Sequence, residues 1–159
     1  MTSRPPFHGT YRIERLLPAP IDRVWKALSD VADRRRWSRV PSDRGEGTYQ
    51  LDFREGGWEH ASGRLTVGDQ VETVDYAGQF LEIVAQERVV LQYETELDGV
   101  RRSISLVTIE LRPSGTDTRF RLTEQFVLLV YFGDGETDAR HLESTRELQL
   151  NALERVLSS

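Results

Sequence analysis

The stretch TRFRLTEQFVLL, residues 118 to 129, alternates as a half-buried β-strand does, with one exception. Phe120, Leu122, Phe126 and Leu128 fall on one face; Arg119, Arg121, Thr123 and Gln125 fall on the other. Glu124 stands on the apolar face between Leu122 and Phe126. A carboxylate there is paired, stays protonated, or looks into a space that is not solid core.

The preceding turns align the faces of the neighbouring strands. Asp98-Gly99 is a strong two-residue hairpin signal, and it pairs Leu97 with Val100. An unbroken ladder then sets Tyr93 opposite Ile104 and Leu91 opposite Leu106. For the next hairpin, a five-residue loop at Pro113–Asp117 pairs Leu106 with Glu124, whereas a six-residue loop pairs Ser105 with it. The first register places Val89, Leu91, Tyr93 and Leu97 on the face of Phe120 and Leu122. The second places Val90, Gln92, Glu94 and Glu96 there. Apolar matching selects the first, barring a bulge. Glu124 is then expected beside Leu91, Tyr93, Leu106 and Thr108, with no cation on the sheet.

Outward from this strand, the order of elements follows from local patterns. TYRIERLL (10–17) reads as a strand after a tail at residues 1–9 that includes a loose His8. APIDRVWKALSD (19–30) reads as a short helix, with Pro20 in its first turn and Ile21, Val24, Trp25 and Leu28 as its stripe. VADRRRW (31–37) is a second short helix, and SRVPSDRGEG (38–47) a polar connection. Strands follow in quick succession to Leu129. A helix then runs from about Glu136 to Leu157, about 30 Å at 1.5 Å per residue. Its apolar side is Leu142, Leu148, Ala152, Leu153, Val156 and Leu157; Asp138, Arg140, His141 and Thr145 make its first half more polar. The expected fold is α+β, a curved antiparallel sheet of six to seven strands around a long C-terminal helix.

Composition narrows the function classes. The chain has 159 residues, 30% charged with both signs intermixed, and a net charge of −5. That is enough for one domain, at residues 10–159, with a real core. The charge balance argues against nucleic acid or an anionic membrane as partner. The absence of cysteine excludes disulfides and thiol chemistry. No apolar run has membrane-spanning length and no signal region is evident, so a cytoplasmic location is expected.

Motifs for other chemistry fail one by one. His8, His60 and His141 lie on different elements without ligand spacing, so no metal is expected. GDGETDARHLE (133–143) lacks the glycine and the final glutamate of a calcium loop. FREGGWE (53–59) lacks the Lys-Ser/Thr of a phosphate loop, and its glycines suit a turn or bulge. DRRRWSR (33–39) is diluted by aspartates and reads as a solvated helix with a buried Trp37. No G-x-S-x-G elbow occurs. No cofactor motif is present. Trp58 and His60 share a strand face, and a His60–Glu124 acid/base pair competes with a solvent-exposed edge histidine.

APIDRVWKALSD (19–30), FREGGWE (53–59), SGR (62–64), GQFLEIVAQERVVLQYE (78–94), LDGVRRSISLVTIEL (97–111) and GTDTRFRLTEQ (115–125) together resemble bacterial proteins of the activator of heat-shock-protein-90 ATPase-like family. That family belongs to the START-like, or SRPBCC, superfamily, with birch-pollen allergens and polyketide cyclases. The resemblance spans about Thr10 to Leu157. It implies a helix-grip fold with a deep cavity between the sheet and the last helix. The last helix, STRELQLNALERVL (144–157), lacks a tryptophan that many relatives carry. The resemblance implies that Glu124 is a polar fixture in a mostly apolar pocket. The alternative is a carboxylate gripping Arg140 or His141 to hold the helix down. The expected cavity residues are Phe53, Trp58, His60, Tyr76, Tyr93, Leu106, Glu124, Phe126, His141 and Thr145. The expected function is binding of a small apolar or aromatic molecule. A polyketide cyclase-like enzyme and a chaperone-interaction module are the alternatives, and a homodimer is left open.

Overall fold

The computed structural model describes residues 4–38, 40, 42 and 47–159. Strand β1 (Phe7–Leu17) leads into helices α1 (Ile21–Ser29) and α2 (Val31–Ser38). Then come β2 (Thr48–Leu51), β3 (Trp58–Val67), β4 (Gln70–Val84), β5 (Arg88–Leu97), β6 (Val100–Ser114) and β7 (Asp117–Leu128). The long helix α3 (Glu136–Leu157) closes the fold. All seven strands join one antiparallel sheet in the order β1-β7-β6-β5-β4-β3-β2. The chain leaves β1 through two helices, restarts at the far edge with β2, and meanders back to pair with β1. The result is the expected α+β helix-grip architecture, with α3 laid over the inner face of a curved sheet.

Strand β1 starts at Phe7, so the tail is shorter than the expected residues 1–9. His8 is a strand residue opposite Val127, not part of a loose end. The Phe7 ring holds this start by packing on Phe126 and Tyr131, with ring centres 6.4 and 6.0 Å apart. Pro20 stands at the N-cap of α1, one position before the helix. Asp30 begins α2 by accepting the backbone N–H of Asp33 at 3.1 Å. Much of the 38–47 connection (Arg39, Pro41 and residues 43–46) lies outside the described residues. Trp37 is buried as expected, and α2 is less solvated than its sequence suggests because Arg34 is buried as well. The Trp37 indole N–H donates to the Ala27 carbonyl at 2.8 Å, tying α2 to α1.

The register departs from expectation twice, and the two departures cancel between β5 and β7. The Asp98-Gly99 turn forms with positive φ at both residues (50° and 78°), as a tight hairpin twist requires. It pairs Leu97 with Val100 and Glu96 with Arg101, but Thr95 then faces Ser103. Arg102 is the extra residue of a bulge. Downstream of it, Tyr93 faces Ser105 and Leu91 faces Val107. The next hairpin is a two-residue turn, with Ser114 opposite Asp117 rather than a five-residue loop, so Val107 faces Glu124. Leu91 and Glu124 therefore share a cross-strand row as expected. Only β6 has changed parity: Ser105, Val107 and Ile109 point inward, while Leu106 and Thr108 point outward.

The inward phase of α3 also differs from the apolar count. Leu150, Leu153, Val156 and Leu157 are buried in the core, but Leu148 is 67% exposed. Arg15 of β1 fixes the same segment from its edge, pairing with Glu147 and with Glu154 and donating to Asn151 at 2.8 Å. A leucine on the wrong helical phase stays wet, because packing of the periodic stripe fixes the rotation of the whole helix.

Candidate functional site

Two buried carboxylates organise the inner face of the sheet. Glu124 of β7 accepts from the Tyr11 hydroxyl of β1, from the Tyr93 hydroxyl of β5, and from Arg146 Nη2 of α3 at 3.0 Å. The Arg146 guanidinium also lies 5.6 Å from the Tyr93 ring centre and donates through Nη1 to Gln149 Oε1 at 2.9 Å. Glu59 of β3 is held by Arg34 Nε and by Nη2 at 3.1 Å, a two-pronged pair. It accepts also from Ser38 at 3.2 Å, from the Tyr49 hydroxyl, and from the Tyr76 hydroxyl at 3.0 Å. Tyr76 stacks on Tyr93 with ring centres 4.8 Å apart, which joins the two clusters into one band. Gly78, between them, has no side chain; a Cβ there would stand 3.1 Å from the Tyr76 hydroxyl.

Charge is balanced within the band. Burial alone would push the Glu124 carboxyl up, but the Arg146 cation and then the Tyr11 and Tyr93 hydroxyls outweigh it and hold it below the usual carboxylate range. Glu59 follows the same logic, with Arg34 and then Tyr49 and Tyr76 overcoming burial. Burial raises the four tyrosines well above their ordinary value, so they stay protonated and donate. Ser105 is buried beside Glu124 and Tyr93, and its hydroxyl lacks a hydrogen bond of ordinary geometry. Glu124 is thus a paired anion, not a protonated acid, and its cation is Arg146 rather than Arg140 or His141.

Burial changes along the interior. At one end the row Val89–Ile109–Leu122–Ile13 is closed over by Leu150 and Leu153, all of them buried. Further along runs the row Tyr49–Ala61–Tyr76–Thr95–Ser103–Leu128–Phe7. There Tyr49, Tyr76, Thr95 and Phe7 are only half-buried, as are Leu142, Arg146 and Gln149 on the facing helix. Three short side chains, Ala61, Thr95 and Ser103, stand in this row. The polar band lies at the boundary between the packed and the half-open parts.

The structure brings together Tyr76, Tyr93, Glu124 and Phe126, and it disperses most of the other expected residues. Phe53 is inside but at the core edge, between Trp25 and Phe80 at 5.6 and 4.9 Å. Trp58 and His60 do share a face, with rings 5.5 Å apart, but it is the outer one. Trp58 is 48% exposed and borders an outer depression of about 230 Å³ with Gln79, Gln92 and Ile104. A His60–Glu124 pair is therefore ruled out by the sheet between them. Leu106 is outside, turned by the bulge. His141 and Thr145 are exposed on the solvent side of α3, where the Thr145 hydroxyl donates to the His141 carbonyl at 2.9 Å. Among the described residues no three His, Asp or Glu side chains cluster as metal ligands would, and no helix is long and apolar enough to cross a membrane.

Tyr11, Arg34, Tyr49, Glu59, Arg146 and Gln149 belong to the two buried polar clusters and were not among the expected residues. Two had a legible signal. Arg146 and Gln149 fall at helical spacing between Leu142 and Leu153, so they lie on the stripe that faces the sheet. Glu59 alternates with Ala61 and Gly63, a pattern equal in length to that of Trp58 and His60.

Comparison with known proteins follows the same lines. The sequence profile of the Activator of Hsp90 ATPase homolog 1-like protein family matches residues 18–157. No curated protein sequence matches the chain significantly. An uncharacterized protein from Rhizobium leguminosarum superposes with a TM-score of 0.84 at 32% identity, covering 99% of both chains. The Mll3558 protein from Rhizobium loti gives 0.77 at 36% identity, covering 97% of this chain and 100% of its own. DynU16, a protein of the dynemicin biosynthetic locus, shares the fold at a TM-score of 0.60 and 18% identity, covering 94% of this chain and 47% of DynU16. The profile match over most of the chain, on a sheet that grips its last helix, makes this protein a member of the Activator of Hsp90 ATPase homolog 1-like family, within the START-like (SRPBCC) fold.

Proposed function

We propose that the protein binds a small apolar or aromatic molecule between the first half of α3 and the half-open row of the sheet. The observation that carries this reading is the loss of burial along one continuous interior. Side chains of the same inward face are sealed beside Leu153 and half-bare beside Leu142, Tyr76 and Thr95. An apolar surround with a few fixed polar groups is the usual make-up of a small-molecule site. Tyr76, Tyr93, Arg146 and Gln149 supply those groups here.

A neutral solvatochromic dye such as Nile red tests it. Binding is expected with a Kd on the order of 1 μM, equivalent to about −8 kcal/mol. Thr95→Trp, which fills the half-open row, should abolish the signal while the far-ultraviolet circular dichroism stays native. Leu106→Trp, on the outer face, should leave it intact. Equal binding by wild type and Thr95→Trp, or loss with Leu106→Trp alone, moves the site to the outer face.

Catalysis in the manner of polyketide cyclases is the second reading, and the donors of the polar band favour it. Hydroxyl and guanidinium donors could polarise a bound carbonyl. Glu124 is a poor base for such a reaction, since three donors already hold its ionised form. Turnover of a bound compound separates an enzyme from a binding protein.

A further inference from the structure

The hydrogen-bonding capacity of the site is unevenly committed, and this bears on what it binds. Both carboxylates of the band are neutralised, Glu59 by Arg34 and Glu124 by Arg146, so the lining carries no net charge. Their oxygens are occupied by tyrosine, serine and guanidinium donors. Each of the four tyrosines directs its only proton at a carboxylate. The strong groups left uncommitted among the described residues are donors. Gln149 accepts from Arg146 through Oε1, which fixes its amide orientation and turns the Nε2 hydrogens away from that bond. Arg146 uses Nη1 and Nη2 once each and keeps further N–H groups. Both residues stand on the helix face above the half-open row, Gln149 half-buried and Arg146 with 12% of its side chain exposed. The Thr95, Ser103 and Ser105 hydroxyls can serve as donor or acceptor and set no preference.

We infer that the site selects an uncharged ligand bearing a carbonyl-type hydrogen-bond acceptor, received by the Gln149 amide N–H and the free N–H groups of Arg146. A ligand carboxylate would add a second anion beside Glu124, whose only guanidinium is already engaged. A ligand ammonium would stand beside the Arg146 cation and find only neutral hydroxyl oxygens as acceptors. This inference rests on the small-molecule reading above, and the two fail in different ways.

Three probes of one ring system test it by calorimetry at pH 7.5: 2-acetylnaphthalene, 2-naphthoate and protonated 2-(aminomethyl)naphthalene. The ketone should bind at least tenfold tighter than either ion. Gln149→Leu should cut ketone affinity about five- to tenfold and abolish the preference for the ketone over 2-ethylnaphthalene, which has the same ring system and no acceptor. Gln149→Glu, which replaces the donor by an anionic acceptor, should reverse the order in favour of the ammonium. Equal affinities, or a tighter carboxylate, in a protein that binds Nile red overturn the inference and leave the binding reading standing. Failure of Nile red and all three probes overturns both. A ketone preference that survives in Gln149→Leu and Gln149→Glu overturns the assignment to this amide.

Discussion

The two buried carboxylates look alike in composition and differ in enclosure. Glu59 is 1% exposed and its Arg34 partner 3%; Glu124 is fully buried, but Arg146 keeps 12% of its side chain accessible. Glu59 meets both prongs of its guanidinium, two tyrosines and a serine, whereas Glu124 meets one guanidinium N–H and two tyrosines. Arg34 further stacks between Trp37 and Phe80, 5.2 and 5.4 Å from their ring centres. The difference separates a sealed clamp from a candidate site. The Arg34–Glu59 pair seals α2 onto β2, β3 and β4, and nothing further can reach it. The Arg146–Glu124 pair ties α3 to β7 beside half-buried side chains, and its cation keeps N–H groups outside those bonds.

The largest expected effect falls on the sealed pair. Glu59→Gln leaves a buried guanidinium without its counter-charge and should cost about 3–5 kcal/mol in urea unfolding. A loss no greater than that of Glu124→Gln would erase the distinction between clamp and candidate site. Next comes the packed end of α3, where Leu153→Ala should cost about 2–4 kcal/mol. A loss below about 1 kcal/mol would mean that the helix is not gripped there.

Glu124→Gln should be milder, about 1–2 kcal/mol at neutral pH, because Arg146 can turn its exposed edge to water. Its pH dependence has a definite sign. The folded-state carboxyl is held below its unfolded value of about 4.3, so the ionised group stabilises the fold at pH above that value. As pH falls from about 5 through the unfolded value toward the lower folded one, the advantage of wild type over Glu124→Gln should disappear. An advantage that grows on acidification would mean a raised carboxyl and a dry, unpaired Glu124. The smallest effect is expected at Leu148→Ala, within about 0.5 kcal/mol, since that leucine faces solvent. A loss comparable with Leu153→Ala would place the apolar side of α3 where the simple leucine count puts it.

The amino-acid sequence by itself determines the element order, the Asp98-Gly99 hairpin, the inward placement of Glu124 and Tyr93, and the family. Each of these rests on a pattern along the chain: a turn dipeptide, a period of two, or an order of motifs that resembles a family's. Three other features were decided by tertiary structure. The bulge at Arg102 changed the parity of β6, sending Leu106 out and Val107 in, because one inserted residue flips every later side chain at no visible cost in composition. In β3, alternation groups Trp58 with His60 and Glu59 with Ala61 equally well. It cannot say which set faces inward when one contains an aromatic ring and the other a carboxylate. Burial of Glu59 becomes favourable only once Arg34, on a different element, is there to neutralise it. The cation of Glu124 was settled by the rotation of α3, which aims Arg146 at the sheet and leaves Arg140 and His141 toward solvent. Periodicity tells which residues travel together; packing against the rest of the chain tells where they go.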